Sequence, residues 1–274
     1  MVSILDALAI IAAGVGAGTI NAIVGSGSLI TFPTLLLLGF PPVTANISNN
    51  VGMVAGGLSA TFGYRRELAG HGRGLARLVP VSLVGSAAGA LLLLVLPSEA
   101  FAAIVPVLIL LGLLLVVFGP RIQAWARSRH DAAEARDAVS SVVSSNTGVL
   151  VGPRSQRLAL LAGILLAGTY GGYFGAAQGV ILMGLLSTLA HGSLQTLNGY
   201  KNVLATTANL IAAIVFLIAA PEHIEWWVVL YIALGTFTGG LIGAGVGRRL
   251  PAPVLRGIII AVGIVGIVKI VFFP

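Results

Sequence analysis

Long stretches with almost no charge constrain the fold of this chain more than any other feature. Residues 79–96 read "VPVSLVGSAAGALLLLVL" and contain no charged side chain, and residues 258–273 read "IIIAVGIVGIVKIVFF" and contain one. Such stretches are long and apolar enough to cross a bilayer as helices. They are unbroken, whereas the strands of a membrane barrel alternate in polarity. The sequence therefore predicts an all-α integral membrane protein.

The composition supports this prediction and narrows the chemistry. Of the 274 residues 57% are hydrophobic and 8% are charged, against about 25% charged residues in soluble domains. The first segment has no basic start, and Asp6 is its only early charge, so we expect it to be retained and not cleaved as a signal peptide. The chain has no cysteine, which excludes disulfides, thiolate metal sites and redox dithiols. We expect no cofactor and no metal.

Interruptions between the apolar stretches divide the chain into about ten segments. Two of these, 27–40 and 178–191, have only 14 residues each. At 1.5 Å per residue they reach roughly 21 Å, less than a hydrocarbon core of about 30 Å, so we expect short or broken helices there. The predicted segments lie near 3–24, 27–40, 43–62, 75–96, 100–118, 157–176, 178–191, 195–220, 226–247 and 254–273.

The positions of the arginines predict the orientation in the membrane. All 13 arginines lie in three connections, 63–78, 119–157 and 248–256, whereas the connections at 97–99 and 221–225 are acidic. The positive-inside rule then places the arginine-rich connections in the cytoplasm, and both termini outside a cell inner membrane. The rule also accounts for the net charge of +7, so we expect the lipid bilayer, and no nucleic acid, as a partner. The 119–157 connection could hold a surface helix around 121–140, but a solvated linker is the favoured interpretation.

A polar sequence motif occurs twice in this otherwise apolar chain. "TANISNNV" at 44–51 aligns with "TLNGYKNV" at 196–203, and the matches before and after it keep the same order along the chain. The first copy belongs to a segment that ends at an arginine-rich connection, and the second to one that ends at an acidic connection, so the copies run in opposite directions. We predict two inverted repeats of five segments, 1–118 and 157–274, joined by a cytoplasmic loop at 119–156. Inverted repeats are typical of secondary transporters with a midplane site.

The repeated asparagines are the first candidates for a substrate site. Residues four apart share a helix face, as in Asn46 with Asn50 and Asn198 with Asn202. We expect them in the first helical turns, where unpaired N–H groups and the positive dipole end suit an anion, and we expect their amides to donate to it. The alternative is that each asparagine bonds a neighbouring helix.

Two further positions, Asn49 and Lys201, flank these faces and align with each other. Lys201 would neutralise the charge of the substrate. A charged lysine is energetically costly inside a membrane, so we expect Lys201 to point into the protein and to have a partner there. The substrate could be that partner. The alternative is that Lys201 snorkels toward the cytoplasm.

Two glycine-rich elbows join a long segment to a short one. They read "VGSGS" at 24–28 and "FGAAQG" at 174–179. Glycine permits a break in the helix and a close approach of the ligand, and the polar side chains could supply donors. Two elbows and two asparagine helices could enclose one small oxyanion. The candidate elbow residues are Gly25, Ser26, Gly27, Gly175, Gln178 and Gly179.

The chain resembles the sulfite exporter TauE/SafE family of membrane permeases. The resemblance is carried by "GAGTINAIVGSGSLITFPTLLLLG" at 16–39, "PPVTANISNNV" at 41–51 and "GGYFGAAQGVILMGLLSTLAHGSLQTLNGYKNV" at 171–203, and it extends over the chain except for 119–157. It implies transport, usually outward, of sulfite, sulfoacetate or a related sulfur-containing anion. The second elbow reads "GAAQG" where members of the family often have more glycine, which bears on the choice of substrate.

These observations together predict an exporter of a small anion, driven by the membrane potential, that works by alternating access. The alternatives are a channel-like pore and an importer of a related anion. We do not expect an enzyme, because the spans contain no Ser/His/Asp set, no paired acids and no HExxH motif. Oligomer formation is left open.

Overall fold

The computed structural model describes residues 3–137, 154–245 and 252–272, and these residues form ten α-helices and one 3-10 turn. By length and composition, five of the helices could cross a membrane: α1, α4, residues 98–119 of α5, α8 and α9. The helices are α1 (Ile4–Ile23), α2 (Ser28–Leu37), α3 (Pro42–Gly63), α4 (Gly72–Val95), α5 (Ser98–Asp137), α6 (Arg154–Tyr173), α7 (Gln178–Leu189), α8 (Leu194–Ala219), α9 (Trp226–Gly245) and α10 (Ala252–Phe272).

The ten predicted segments are confirmed as helices, and α2 and α7 are short as predicted. Serine caps mark two of the helix starts: the Asp6 N–H donates to Ser3 Oγ before α1, and the Thr196 N–H donates to Ser193 Oγ before α8 (both 3.1 Å). A side-chain acceptor at this position satisfies one of the N–H groups that a helix start leaves unpaired.

The largest departure from the predicted boundaries is in α5. This helix continues to Asp137, so the first part of the 119–157 connection is helical, as the alternative of a helix around 121–140 predicts. Residues 120–137 are rich in alanine and arginine, which are strong helix formers, so the helix continues after the apolar stretch has ended. Residues 138–153 lie outside the described part of the chain, as do Arg248 and Arg249.

Glycines bring the long helices into backbone contact. A methyl group added at Gly89 of α4 would overlap the carbonyl oxygen of Thr169 in α6, and one at Gly239 of α9 would overlap that of Val15 in α1. Close approach of this kind lets van der Waals packing hold helices together, since lipid provides no hydrophobic driving force between them. Gly85 and Gly243 make the same kind of close backbone contact, with α6 and α1 respectively.

The centre of the molecule consists of α3 and α8, which pack against each other. Helix α3 also packs against α9, and α8 against α4; α2 lies against α1, α3 and α10, and α7 lies against α5, α6 and α8. The two asparagine-bearing helices therefore lie side by side, with the two short helices beside them.

Candidate functional site

The two elbows are closed by the same set of bonds. After α1, the Gly25 N–H donates to the Ile20 carbonyl (3.2 Å), and after α6 the Gly175 N–H donates to the Tyr170 carbonyl (3.0 Å). Both glycines have left-handed backbone, with φ of +87° and +76°. This is the glycine cap that ends many helices, and a residue with a Cβ is disfavoured in it. The predicted helix break is observed at Gly25 and Gly175, and the close approach of a ligand there stays a prediction.

The elbows also touch each other. The Gly179 N–H donates to the Gly25 carbonyl (2.9 Å), and a methyl group added at either glycine would overlap the backbone of the other. A methyl group at Gly27 would overlap the Ala17 carbonyl. Gly27 and Gly179 thus allow neighbouring backbone segments to come into close contact. Ala177, just before α7, has φ of +63°, a backbone conformation that its sequence gave no reason to expect.

Three side chains of α8 converge on the last turn of α1. Lys201 Nζ donates to the carbonyls of Asn21 (3.0 Å) and Ala22 (3.2 Å). The amide nitrogens of Asn198 and Asn202 lie 3.2 and 3.3 Å from the same Ala22 oxygen. The last carbonyls of a helix have no helical partner, and they form the negative end of its dipole, so they stabilise an ammonium group.

The position of Lys201 settles one of the alternatives. Its side chain is 1% exposed and points to α1, so the alternative that it snorkels toward the cytoplasm is wrong. The inward position is confirmed, and the carbonyls of α1 provide partners that the sequence did not reveal.

The asparagines of α3 lie against the second elbow and α2. Asn46 Nδ2 donates to the carbonyl of Tyr173, the last residue of α6 (2.9 Å), and Asn49 Oδ1 accepts a hydrogen bond from Thr31 in α2. Asn50 Nδ2 lies 4.0 Å from the point where a Cβ on Gly175 would be. Each asparagine helix therefore contacts the elbow that belongs to the other half of the sequence.

The expectation that these residues lie in the first helical turns is wrong in part. Helix α3 begins at Pro42 and α8 at Leu194, so Asn50 and Asn202 follow their helix starts by more than two turns. The unpaired N–H groups of the helix starts are therefore not beside them. Carbonyls at helix C-termini instead accept hydrogen bonds from Asn46, Asn198, Lys201 and Asn202, because the helices that lead into the elbows of the opposite half end there.

Several buried polar atoms around the elbows lack a hydrogen-bond partner in the described part of the chain. Buried side-chain polar atoms are normally paired, so a group of unpaired ones requires an explanation such as a missing ligand or water. The residues that carry them are between 1% and 8% exposed. The atoms are Ser26 Oγ, Asn46 Oδ1, Asn50 Oδ1, Gln178 Nε2 and Asn198 Oδ1. We call Lys201 and the side chains that carry these atoms the elbow cluster.

Two tyrosines near the cluster were missed by sequence reasoning. Tyr64, which directly follows α3, accepts a hydrogen bond on its hydroxyl from Asn198 Nδ2 (2.7 Å). The Tyr170 hydroxyl is buried without a partner in the described residues. Neither tyrosine belongs to a repeated motif, so the sequence offered no signal for them.

Comparison with known proteins gives the family. The family model described as "Sulfite exporter TauE/SafE" matches residues 10–270. The chain belongs to this family. Relatives of this TauE/SafE protein include a "Probable membrane transporter protein" of Haemophilus influenzae, 29% identical over 98% of this chain and 96% of the relative. The "Probable membrane transporter protein YfcA" of Escherichia coli K12 is 24% identical over 93% of this chain and 86% of the relative.

A third relative, "Probable membrane transporter protein ORF9" of a Sinorhizobium species, is 27% identical over 94% of this chain and 89% of the relative. No solved structure matches the chain. The family and these relatives, together with the apolar helices, support a multi-pass membrane transporter.

Proposed function

We propose that this TauE/SafE protein exports a small sulfur-containing oxyanion or organosulfonate, such as sulfite or sulfoacetate, by alternating access about the elbow cluster. The observation that carries the proposal is a buried lysine at the end of α1, beside two touching elbows with buried polar atoms that have no partner in the described residues. The oxygens of such an anion would accept hydrogen bonds from Lys201, Ser26 and Gln178. The family description supplies the substrate class.

Alternating access in this proposal rests on two inverted repeats, 1–118 and 157–274. Helix α1 packs on α9 and α6 packs on α4, which is the same contact with the halves exchanged. The bonds that close the elbows correspond in the same way. If each half can adopt the conformation of the other, the molecule has two related states that open the cluster to opposite sides.

We further propose that the protein lies in the cell inner membrane with its arginine-rich connections in the cytoplasm and both termini outside. Trp226 and Trp227, beside the acidic 221–225 connection, are 58% and 63% exposed. Tryptophans of this kind often anchor a helix at the membrane interface.

The membrane potential would drive the transport. An inside-negative potential favours the exit of an anion by about 2.3 kcal/mol per charge per 100 mV. Residues 24–28, 44–51, 174–179 and 196–203, which contain the elbow cluster, include no aspartate or glutamate that could relay protons. Export would therefore need no coupled ion.

Efflux from proteoliposomes loaded with sulfite tests the proposal. We expect efflux from the wild type that slows when the potential is clamped to zero, and that falls about tenfold or more in Asn50→Ala, Asn202→Ala and Lys201→Ala. Asn209→Ala is the matched control, because it removes a buried amide from α8 two turns beyond Asn202. Equal rates in all variants would place the site elsewhere, and single-channel currents would identify a pore.

A further inference from the structure

The elbow cluster offers acceptors as well as donors. Asn46 Nδ2 and Asn198 Nδ2 donate to backbone carbonyls of Tyr173 and Ala22, and a carbonyl can only accept, so these contacts fix which end of each amide is the oxygen. The two oxygens, with Asn50 Oδ1, are buried and have no donor in the described residues. A ligand that supplies a hydrogen-bond donor would pair with one of these oxygens.

The cluster also offers a single charge. Lys201 is the only charged residue in the two elbows and the two asparagine windows, 24–28, 44–51, 174–179 and 196–203. A singly charged anion beside it leaves the site neutral. A doubly charged anion leaves a net negative charge, which is costly to bury in a medium of low dielectric constant.

We infer that the elbow cluster takes a singly charged oxyanion that carries its own O–H or N–H group, as hydrogensulfite does. This inference rests on the proposed function and narrows its substrate. The charged oxygens of the ligand accept from Lys201, Ser26 and Gln178, and its O–H or N–H donates to an asparagine oxygen. A fully deprotonated oxyanion has only acceptors, so it would leave the amide oxygens of Asn46 and Asn198 without a donor.

Three tetrahedral anions of similar size allow the requirement for a single charge to be tested separately from the requirement for a hydrogen-bond donor. Sulfamate has one charge and N–H donors, methanesulfonate has one charge and no donor, and sulfate has two charges and no donor. Measured by titration calorimetry on the purified full chain at one pH, we expect sulfamate to bind about tenfold more tightly than methanesulfonate, and methanesulfonate to bind more tightly than sulfate. Equal binding of sulfamate and methanesulfonate, or tightest binding of sulfate, overturns the inference.

A second lysine in the site should weaken its discrimination against a doubly charged anion. Asn49 aligns with Lys201 in the repeat and is buried beside Thr31. We expect Asn49→Lys to raise the affinity for sulfate relative to sulfamate about tenfold. Asn49→Met, which loses the Thr31 bond without adding charge, should keep the wild-type order of the anions. An unchanged ratio of sulfate to sulfamate affinity in folded Asn49→Lys contradicts the assignment of charge.

Titration of sulfite in parallel separates a failure of this inference from a failure of the proposed function. Binding of sulfite together with the wrong order of the three anions, or without binding of sulfamate, overturns only this inference. If neither sulfite nor any of the three anions binds, the proposed function fails with it.

Discussion

At the scale of single residues, the elbow cluster has more donors than the helix end it contacts can use. The Ala22 carbonyl has two lone pairs, yet Asn198, Lys201 and Asn202 all lie within 3.3 Å of it. At least one donor is therefore in surplus. An anion can recruit that donor without leaving the end of α1 unpaired, so the same side chains can hold the fold and bind a substrate.

Tyr64 and Tyr170 allow the contribution of the Asn198 hydrogen bond to stability to be tested, because the hydroxyl groups of both are buried but only that of Tyr64 accepts this bond. Tyr64→Phe removes the hydroxyl that accepts from Asn198, which we expect to lower the free energy of unfolding by about 1 to 2 kcal/mol. Tyr170→Phe removes a hydroxyl without a partner in the described residues, and we expect no loss. Thermal unfolding in detergent without anion measures both, and an equal loss in the two variants would show that the Asn198 bond is unimportant.

At the scale of helices, the sequence predicted the elements far better than it predicted their contacts. The short α2 and α7 and the glycine elbows could be recognised because length, composition and glycine act locally. The partners of Lys201 could not, because they are carbonyls at the end of α1, some 180 residues earlier in the chain. The end of α5 was missed because helix propensity, and not hydrophobicity, extends it to Asp137.

Two glycine-to-alanine substitutions in α7 test the contact between the elbows. Gly179→Ala places a methyl group against the backbone of Gly25, so we expect the elbows to separate, with lower thermal stability and little transport. Gly184→Ala, also in α7, meets nothing within 4 Å, and alanine favours a helix over glycine by about 1 kcal/mol. It should be neutral or stabilising. Similar melting temperatures and efflux rates in both variants would contradict a functional junction.

At the scale of the whole molecule, the proposed inversion of the halves depends on sidedness, which labelling can measure. The chain has no cysteine, so single cysteines report without background. We expect Glu222→Cys, in the acidic connection, to react with a membrane-impermeant thiol reagent in intact cells. Gly72→Cys, at the start of α4 next to Arg73, should react only after the cells are permeabilised. The opposite pattern would show that the protein has the reverse orientation in the membrane. Labelling of both cysteines from outside would show that the two halves are not inverted.

The central claim is that an anion binds beside Lys201 where the elbows meet, and the two lysines of the chain test it most directly. Lys201→Gln keeps a donor for the end of α1 and removes the charge, whereas Lys269→Gln makes the same change in the last turn of α10. The measurement is the dissociation constant for sulfite by titration calorimetry, with thermal unfolding as the check on folding. We predict about tenfold weaker binding in Lys201→Gln and wild-type binding in Lys269→Gln. Wild-type affinity in folded Lys201→Gln would contradict the account.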